Sequence, residues 1–229
     1  VRVAEVVKVN DLITRFRFVA RDGGELPAFS GGAHTVVEMD DHGTRRLNPY
    51  SLMSDPEDRS GYEISVRRDD AGRGGSLFMH QHVKPGMEMV LSHPMNLFPL
   101  DNRARKHLFF AGGIGITPFL AWLEALSSAT DATVPEADLH YCTRNAGQDP
   151  MVDRLRALCD GFPGIHLEIH DSSKGQRLSA ETLSTNGRSA AGAEVWFCGP
   201  AGLGEAIRNG LRAAPFRLTR FHKEAFQFR

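Results

Sequence analysis

The chain has 229 residues, and its 27 lysines and arginines nearly balance 28 aspartates and glutamates, which gives a formal net charge of -1. This balance, with no long basic run, excludes the cationic surface on which nucleic-acid binding depends. The three cysteines form no CxxC pair, and no apolar stretch reaches the roughly 18 residues of a membrane-spanning helix, so we expect a cytoplasmic protein without disulfides or membrane contact.

The first hundred residues contain short runs of β-branched or alternating residues, separated by glycine and aspartate. These runs cover 2–9, 13–19, 35–38 and 62–67. Evenly spaced short strands without a long amphipathic helix are typical of an antiparallel barrel or sandwich. We therefore predict an all-β antiparallel barrel over residues 1–102.

A polar run at 101–106 marks the predicted boundary between two domains, which a chain of this length can accommodate. Beyond it, apolar runs alternate with helical patterns, and this alternation requires a parallel sheet because each strand is followed by a crossover. Residues 103–229 are therefore predicted to form a doubly wound α/β nucleotide-binding domain. Its predicted strands are 108–111, 139–142, 167–169 and 195–198, and its predicted helices are 118–129, 150–159 and 201–213.

A glycine turn, GGIGITP at 112–118, follows the first of these strands. Glycines let the backbone approach a phosphate, Thr117 can cap the next helix, and Pro118 fits its first turn. The free amides of a helix N-terminus favour a pyrophosphate. The spacing is not GxGxxG, so a tight strand-to-helix turn without a ligand is the alternative.

The strand at 195–198 ends in Cys198, Gly199 and Pro200. Ligands of open α/β sheets bind at the carboxyl ends of the strands, which makes this segment a candidate contact. A cysteine in such a strand is more often a buried apolar residue than a reactive one. Only its combination with the glycine turn favours a functional interpretation.

Two segments of the first domain combine groups that suit a phosphorylated aromatic ligand. NPYSLMS at 48–54 joins an aromatic ring to a hydroxyl, and SVRR at 65–68 precedes GRGGS at 72–76. A ligand with a flat ring could stack on the aromatic side chain and accept a hydrogen bond from the hydroxyl. Its phosphate could be neutralised by the arginines and the glycine turn. The alternative is a strand tyrosine followed by an ordinary turn.

Ten histidines raise the question of a metal site. His80 with His82, and His166 with His170, are the closest pairs. Because no further set of ligands accompanies either pair in the sequence, we predict surface histidines and no metal.

Six motifs in order, NPYSLMS, RRDDAGRGGS, AGGIGITP, YCTRN, FCGP and HKEAF, resemble the ferredoxin–NADP reductase superfamily across essentially the whole chain. The similarity is greatest to the phthalate dioxygenase reductase and vanillate demethylase reductase group, the reductase components of Rieske-type oxygenases. The resemblance implies FMN, with FAD as the alternative, and NADH, with NADPH as the alternative. It also implies an oxygenase component or a ferredoxin domain as partner.

The resemblance assigns the flavin to the first domain. Tyr50 would stack on the isoalloxazine ring, Ser51 would hydrogen-bond near its N5, and Phe226 would cover the other face. The phosphate would be held by Arg67 and the turn Gly74, Gly75 and Ser76.

One departure from the family motif concerns this phosphate. Asn48 stands where the family has an arginine, although it remains among the expected cofactor contacts. We expect Arg67 to supply the charge, helped by Arg46, Arg68 or Arg73.

The resemblance assigns the pyridine nucleotide to the second domain. Cys198 and Gly199 would lie beside the nicotinamide, and Asp171 would contact the adenosine ribose. Ser51, Cys198 and Phe226 would be the residues nearest the transferred hydride. The other expected nucleotide contacts are Gly112, Gly113, Gly115, Thr117, Pro118, Thr143, Arg144 and Pro200, and the cations that could meet a 2′-phosphate are Arg144, Lys174 and Arg177.

The implied activity is transfer of electrons from NADH through FMN to an iron–sulfur centre and a terminal oxygenase or demethylase. The sequence stops shortly after Phe226 without a four-cysteine segment, so we expect the [2Fe-2S] domain either to have been removed or to belong to a separate partner. The alternatives are a stand-alone reductase of flavin or a haem protein, and a redox-silent nucleotide-binding module.

Overall fold

The computed structural model describes residues 1–99, 106–128, 136–178, 193–213 and 220–224. The predicted domain boundary at 102/103 lies outside these residues, and so does Phe226. The chain divides into two compact units, of which the second comprises Asp101–Ile116 and Thr130–Phe226. The first comprises Val1–Leu100, Thr117–Ala129 and Gln227–Arg229.

The first unit contains two three-stranded antiparallel sheets that enclose one core, which confirms the predicted all-β class. In one sheet the order is β1 (Arg2–Lys8), β2 (Ile13–Val19) and β5 (Tyr62–Arg67). In the other it is β4 (Thr44–Ser51), β3 (His34–Asp41) and β6 (Val90–Leu91).

Alternation along β2 shows why these segments are strands. Phe16 and Phe18 are fully buried, whereas Arg15 and Arg17, which alternate with them, are partly exposed. A period of two puts every second side chain on the same face of a sheet. The two phenylalanines join Val37 of β3 in the common core.

A two-residue turn sets the register of β3 and β4. His42 and Gly43 have φ of 51° and 85°, and Asp41 pairs with Thr44. Positive φ at both central residues gives the type I′ turn, whose twist suits a hairpin. The register carries Ser51 to a position opposite His34.

The predicted glycine turn at 72–76 continues into a short helix, α1 (Gly75–His82). Gly74 precedes it with φ 95°, a conformation that favours glycine. The sequence predicted no helix here, because eight residues give too little apolar periodicity to detect.

The second unit contains a five-stranded parallel sheet, which confirms the predicted doubly wound α/β class. Its order is β11 (Arg220–Glu224), β10 (Glu194–Cys198), β7 (Lys106–Gly112), β8 (Glu136–Thr143) and β9 (Ile165–Asp171). The four predicted strands are present, and β11 is a fifth that the sequence did not indicate.

The predicted helices also form. They are α2 (Thr117–Ser128), α3 (Pro150–Asp160) and α4 (Ala201–Ala213). Asp149 caps α3 by accepting a hydrogen bond from Met151 N at 3.0 Å, and Pro150 occupies the first turn. Helix α2 groups with the first unit, where Phe119 packs edge-on against Phe98. Among the described helices, none combines the length and apolar character needed to cross a membrane.

Candidate functional site

Two hydroxyls lie at the end of β4, where the sequence predicted a ring-binding site. Ser51 is 4% exposed and Tyr50 is partly buried. Among the described residues, Ser51 Oγ has no hydrogen-bond partner, and the Tyr50 hydroxyl has none of good geometry, although the Asn48 side chain is close enough to interact with it. Burial raises the pKa of Tyr50, and the nearby Asn48 side chain opposes the rise. Because buried polar groups in proteins are nearly always paired, these two donors suit a ligand with ring acceptors.

The glycine turn before α1 is packed against β4. A Cβ atom on Gly75 would lie 2.6 Å from Asn48 Oδ1, and one on Gly74 would lie 3.1 Å from Arg46 Nη2. Arg46, Asn48 and Tyr50 share one face of β4 because they are spaced two residues apart. The fold therefore brings the substituted motif position, Asn48, directly against the turn that was expected to hold a phosphate.

The Ser76 hydroxyl forms a hydrogen bond inside the loop that contains this turn. Its Oγ accepts a hydrogen bond from Asp69 N at 3.0 Å. Ser76 thus has an internal partner, and its phosphate contact stays a prediction.

The two arginines Arg46 and Arg67 differ in whether their side chains are already bound to other residues. The Arg46 guanidinium binds Asp41 Oδ2 through Nε at 2.9 Å and through Nη2 at 2.8 Å, and Nη1 donates to the carbonyl of Arg73. Arg67 ends β5 with an exposed side chain and forms no ion pair with a described residue. Arg46 is therefore fixed at the turn, whereas Arg67 is available for an anion.

The predicted nucleotide segments of the second unit pack backbone against backbone. A Cβ atom on Gly115 would lie 2.3 Å from the Cys198 carbonyl oxygen, and one on Gly199 would lie 2.9 Å from Gly112 N. A Cβ atom on Gly112 would meet Pro200 Cδ at 2.8 Å. The carboxyl ends of β7 and β10 therefore come together as predicted, and only glycine permits this approach.

Glu224, which the sequence analysis overlooked, lies beside Cys198. The two residues are register partners on β11 and β10. Burial, and secondarily the Glu224 carboxylate, raise the pKa of the fully buried Cys198 thiol. Burial raises the pKa of Glu224 to about 7, and a hydrogen bond with the thiol opposes the rise. The HKEAF motif contains this glutamate, but the resemblance assigned a role only to its Phe226, which lies outside the described residues.

The raised pKa of Glu224 predicts a pH-dependent stability. The folded state holds this proton up to about pH 7, whereas the unfolded chain releases it near 4.5, so stability falls as pH rises between these values. We expect the free energy of unfolding of Glu224→Gln to equal that of the wild type at pH 4 and to exceed it by about 2 kcal/mol at pH 8. This difference is smaller than the full pKa shift would give, because Glu224 is partly exposed. Urea denaturation at both values measures this difference.

Glu205→Gln, which changes an exposed carboxylate on α4, is the control and should show no comparable pH trend. Equal unfolding free energies for Glu224→Gln and wild type at pH 8 would contradict the prediction.

The Asp171 carboxylate, at the end of β9, accepts hydrogen bonds from the residues that follow β9 and β8. Its Oδ1 accepts hydrogen bonds from Ser173 N at 3.0 Å and Ser173 Oγ at 2.7 Å, and Oδ2 accepts one from Ala146 N at 3.1 Å. These bonds, led by that of the Ser173 side chain, lower the pKa of Asp171. Its register partner Thr143 donates to Asp149. Contact with a ribose therefore remains a prediction for both residues.

The remaining predicted contacts are placed as follows. Thr117 and Pro118 begin α2, and both are buried. Arg144 is exposed directly after β8. Gly113 follows β7 with φ 52°, so a side chain there would be strained.

The chain is similar to several oxygenase reductases, although no protein-family model matches it. It is 41% identical to the carnitine monooxygenase reductase subunit of Escherichia coli strain K12, over 99% of this chain and 68% of that protein. It is 38% identical to the heme-dependent oxidative N-demethylase beta subunit of Ectopseudomonas mendocina strain ymp, again over 99% and 68%. The chain thus spans about two thirds of these relatives.

A solved structure agrees with these similarities. Phthalate dioxygenase reductase, described as a modular structure for electron transfer from pyridine nucleotides to [2Fe-2S], matches with a TM-score of 0.79 and 29% identity, over 97% of this chain and 66% of that one. The family expected from the six motifs is therefore confirmed. The chain belongs to the oxygenase reductase family of phthalate dioxygenase reductase and vanillate demethylase reductase, within the ferredoxin–NADP reductase superfamily, and is an oxidoreductase.

Proposed function

We propose that this chain is the flavin- and NADH-binding portion of an oxygenase reductase component. In this proposal electrons pass from NADH through FMN to an iron–sulfur centre that serves a terminal oxygenase or demethylase. A bound flavin supplies the chemistry, since it accepts a hydride and releases electrons singly. A plant-type cluster needs four cysteines and the chain has three, so a ferredoxin domain or a separate partner would carry the centre.

The observation that carries the proposal is the buried Ser51 hydroxyl, which has no partner among the described residues, beside the Tyr50 hydroxyl at the end of β4. Ser51 and Tyr50 can donate to acceptors on the ring edge, which would satisfy them. The amides that follow Gly74 and the Arg67 guanidinium suit the phosphate, because a helix N-terminus and a cation both favour an anion.

The second unit would bind and orient the nucleotide. Gly113, where a Cβ atom would meet nothing within 4 Å, leaves the backbone open to a pyrophosphate, and Gly112 and Gly115 keep the strand ends beside it closely packed. Cys198 remains a neutral thiol because burial and Glu224 raise its pKa, so it contributes packing and not a nucleophile. Orientation of the two rings is then the main contribution of the protein, which can be worth roughly 7 to 11 kcal/mol in well-aligned systems.

We further propose NADH as the nucleotide. The Asp171 carboxylate follows a strand end, where an acidic residue typically binds a ribose hydroxyl and repels a 2′-phosphate. Arg144, Lys174 and Arg177 are the cations that NADPH would need. A larger kcat/KM for NADH than for NADPH is expected.

Reconstitution tests the proposal directly. The purified chain is titrated with FMN and with FAD by flavin fluorescence, and the complex is mixed anaerobically with NADH or NADPH. We expect FMN to bind, its visible absorbance to bleach with NADH, and electrons to reach an added ferredoxin. A bleached flavin that reduces only free flavin or a haem protein would favour the stand-alone reductase, and a flavin that never bleaches would favour the redox-silent module.

Substitution of Ser51 gives a sharper prediction. Ser51→Ala removes a buried hydroxyl without a partner, so the flavin-free protein should be equally stable or more stable. In the complex the same change removes a hydrogen bond, so we expect flavin affinity and the rate of reduction by NADH to fall about tenfold. Thermal unfolding and flavin titration measure the two effects.

Ser65→Ala is the matched control, because Ser65 is also buried but its Oγ already donates to Met53 Sδ at 3.1 Å. This change should destabilise the flavin-free protein and leave flavin affinity unchanged. Identical behaviour of the two variants would argue against Ser51 as a flavin contact.

A further inference from the structure

Two neighbouring strands of the parallel sheet gather two histidines and a glutamate on one face. His140 of β8 is the register partner of Glu168 on β9, and His170 lies two residues beyond Glu168 on that strand. A period of two directs Glu168 and His170 to the same face. One nitrogen of each histidine and one Glu168 oxygen lie within 4.8 Å of one another.

This arrangement differs from what the sequence suggested. Spacing along the chain pairs His170 with His166 and indicates no further ligands. In the fold His166 is exposed, whereas His170 lies against His140 and Glu168. His140 comes from a strand 30 residues away, so spacing along the chain could not reveal it, whereas Glu168 lies on the same strand as His170 and was not included in the pair.

The distances match those between the ligands of a tetrahedral metal ion. His140 Nδ1 lies 3.1 Å from His170 Nε2. Glu168 Oε2 lies 3.5 Å from His140 Nδ1 and Glu168 Oε1 lies 3.8 Å from His170 Nε2, and with a single oxygen the three ligand atoms lie within 4.8 Å of one another. Zinc binds imidazole nitrogen and carboxylate oxygen at about 2.0 to 2.2 Å, which separates neighbouring ligands by roughly 3.3 to 3.5 Å. An ion could therefore enter with only small side-chain shifts.

The two histidines are buried by neighbouring residues, and the glutamate is accessible to solvent. The side chains of His140 and His170 are 9% and 5% exposed, and the His140 ring stacks on Phe110 with centroids 5.0 Å apart. The Glu168 side chain is 37% exposed, so an ion can reach the cluster from its carboxylate side. The fold therefore holds the two imidazoles in a fixed arrangement and leaves the carboxylate accessible to solvent.

We propose that His140 Nδ1, His170 Nε2 and the Glu168 carboxylate bind a divalent transition metal ion, of which Zn²⁺ fits the nitrogen and oxygen ligands best. The ion would join β8 to β9, the edge strand, and so stabilise the sheet. Three protein ligands leave the fourth position to water. This site is independent of the proposed redox function.

Zinc titration of the flavin-loaded chain tests the proposal. After treatment with EDTA and dialysis, Zn²⁺ is added in competition with a chromophoric chelator. We expect one ion per chain, a higher unfolding temperature with zinc, and an X-ray absorption spectrum with two imidazole ligands. Absence of saturable binding in the wild type would overturn the proposal.

Variants assign the ligands. Glu168→Gln and His140→Gln should lower zinc affinity roughly a hundredfold or more, beyond the tenfold to hundredfold typical of outer-shell changes. His166→Gln, an exposed histidine on the same face of β9, is the matched control and should bind zinc like the wild type. Flavin content and the unfolding temperature in EDTA verify that each variant folds. Glu168→Gln is the variant least expected to disturb folding, because its side chain is partly exposed.

Zinc affinity lost in His166→Gln but retained in Glu168→Gln would overturn the assignment. Equal affinity in all four proteins would do so too, because it would indicate surface binding at other histidines.

Discussion

Replacement of Gly115 by alanine is expected to lower the free energy of unfolding of the second unit by about 3 kcal/mol or more. The new Cβ atom would lie 2.3 Å from the carbonyl oxygen of Cys198 and 2.6 Å from its carbonyl carbon. Both atoms belong to the backbone, so no change of rotamer relieves the overlap. The carboxyl ends of β7 and β10 must separate, and the nucleotide contacts proposed there would be lost.

Urea denaturation measures the stability loss, and steady-state NADH oxidation measures the functional loss. Flavin affinity should remain close to that of the wild type, since the proposed contacts to the ring edge and the phosphate, Tyr50, Ser51 and Arg67, lie in the first unit. This combination distinguishes a local defect at the glycine turn from general misfolding.

Gly202→Ala is the matched control for this prediction. Gly202 lies on α4, and a Cβ atom there meets nothing within 4 Å. Alanine in a helix is favoured over glycine by about 1 kcal/mol, so this variant should be as stable as the wild type or more stable. A Gly115→Ala protein with unchanged stability and NADH oxidation would contradict the close packing described here.

The second large effect concerns the positive charge of the family motif, which this chain lacks at Asn48. We expect the double variant Arg46→Ala, Arg67→Ala to bind FMN at least about a hundredfold more weakly than the wild type. Hydrogen bonds to charged groups contribute about 1.5 to 3 kcal/mol each, and each single variant should therefore lose about tenfold to a hundredfold. Flavin fluorescence titration measures these affinities.

Riboflavin, which has no phosphate, separates the electrostatic role from a structural one. If the arginines act on the phosphate, riboflavin should bind the variants and the wild type equally. Arg46→Lys adds a second comparison, because lysine can pair with Asp41 but cannot form the same fork of hydrogen bonds.

Arg45→Ala is the control for charge alone. Arg45 is next to Arg46 but on the opposite face of β4, where its exposed side chain pairs with Glu38 at 2.7 Å. Its loss should leave FMN affinity unchanged. Equal FMN affinity in the double variant and the wild type would show that amides of the glycine turn suffice for the phosphate.

The sequence alone determined the fold class and most elements, because local patterns report which side of a segment is buried. Alternation along β2, with Phe16 and Phe18 buried, predicted a strand of an antiparallel sheet. The helical pattern over 150–159 predicted α3. The ordered motifs predicted the family. Glycine turns and strand ends keep their order along the chain even when the loops between them differ.

Only the tertiary structure decided which residues meet, because periodicity identifies a buried face but not what covers it. β11 has no apolar alternation of its own and becomes a strand by pairing with β10, which places Glu224 beside Cys198. The pairing of β8 with β9 likewise sets His140 against Glu168 and His170. These contacts depend on the register between strands distant in sequence, and register is set by the packing of the whole sheet and not by any one segment.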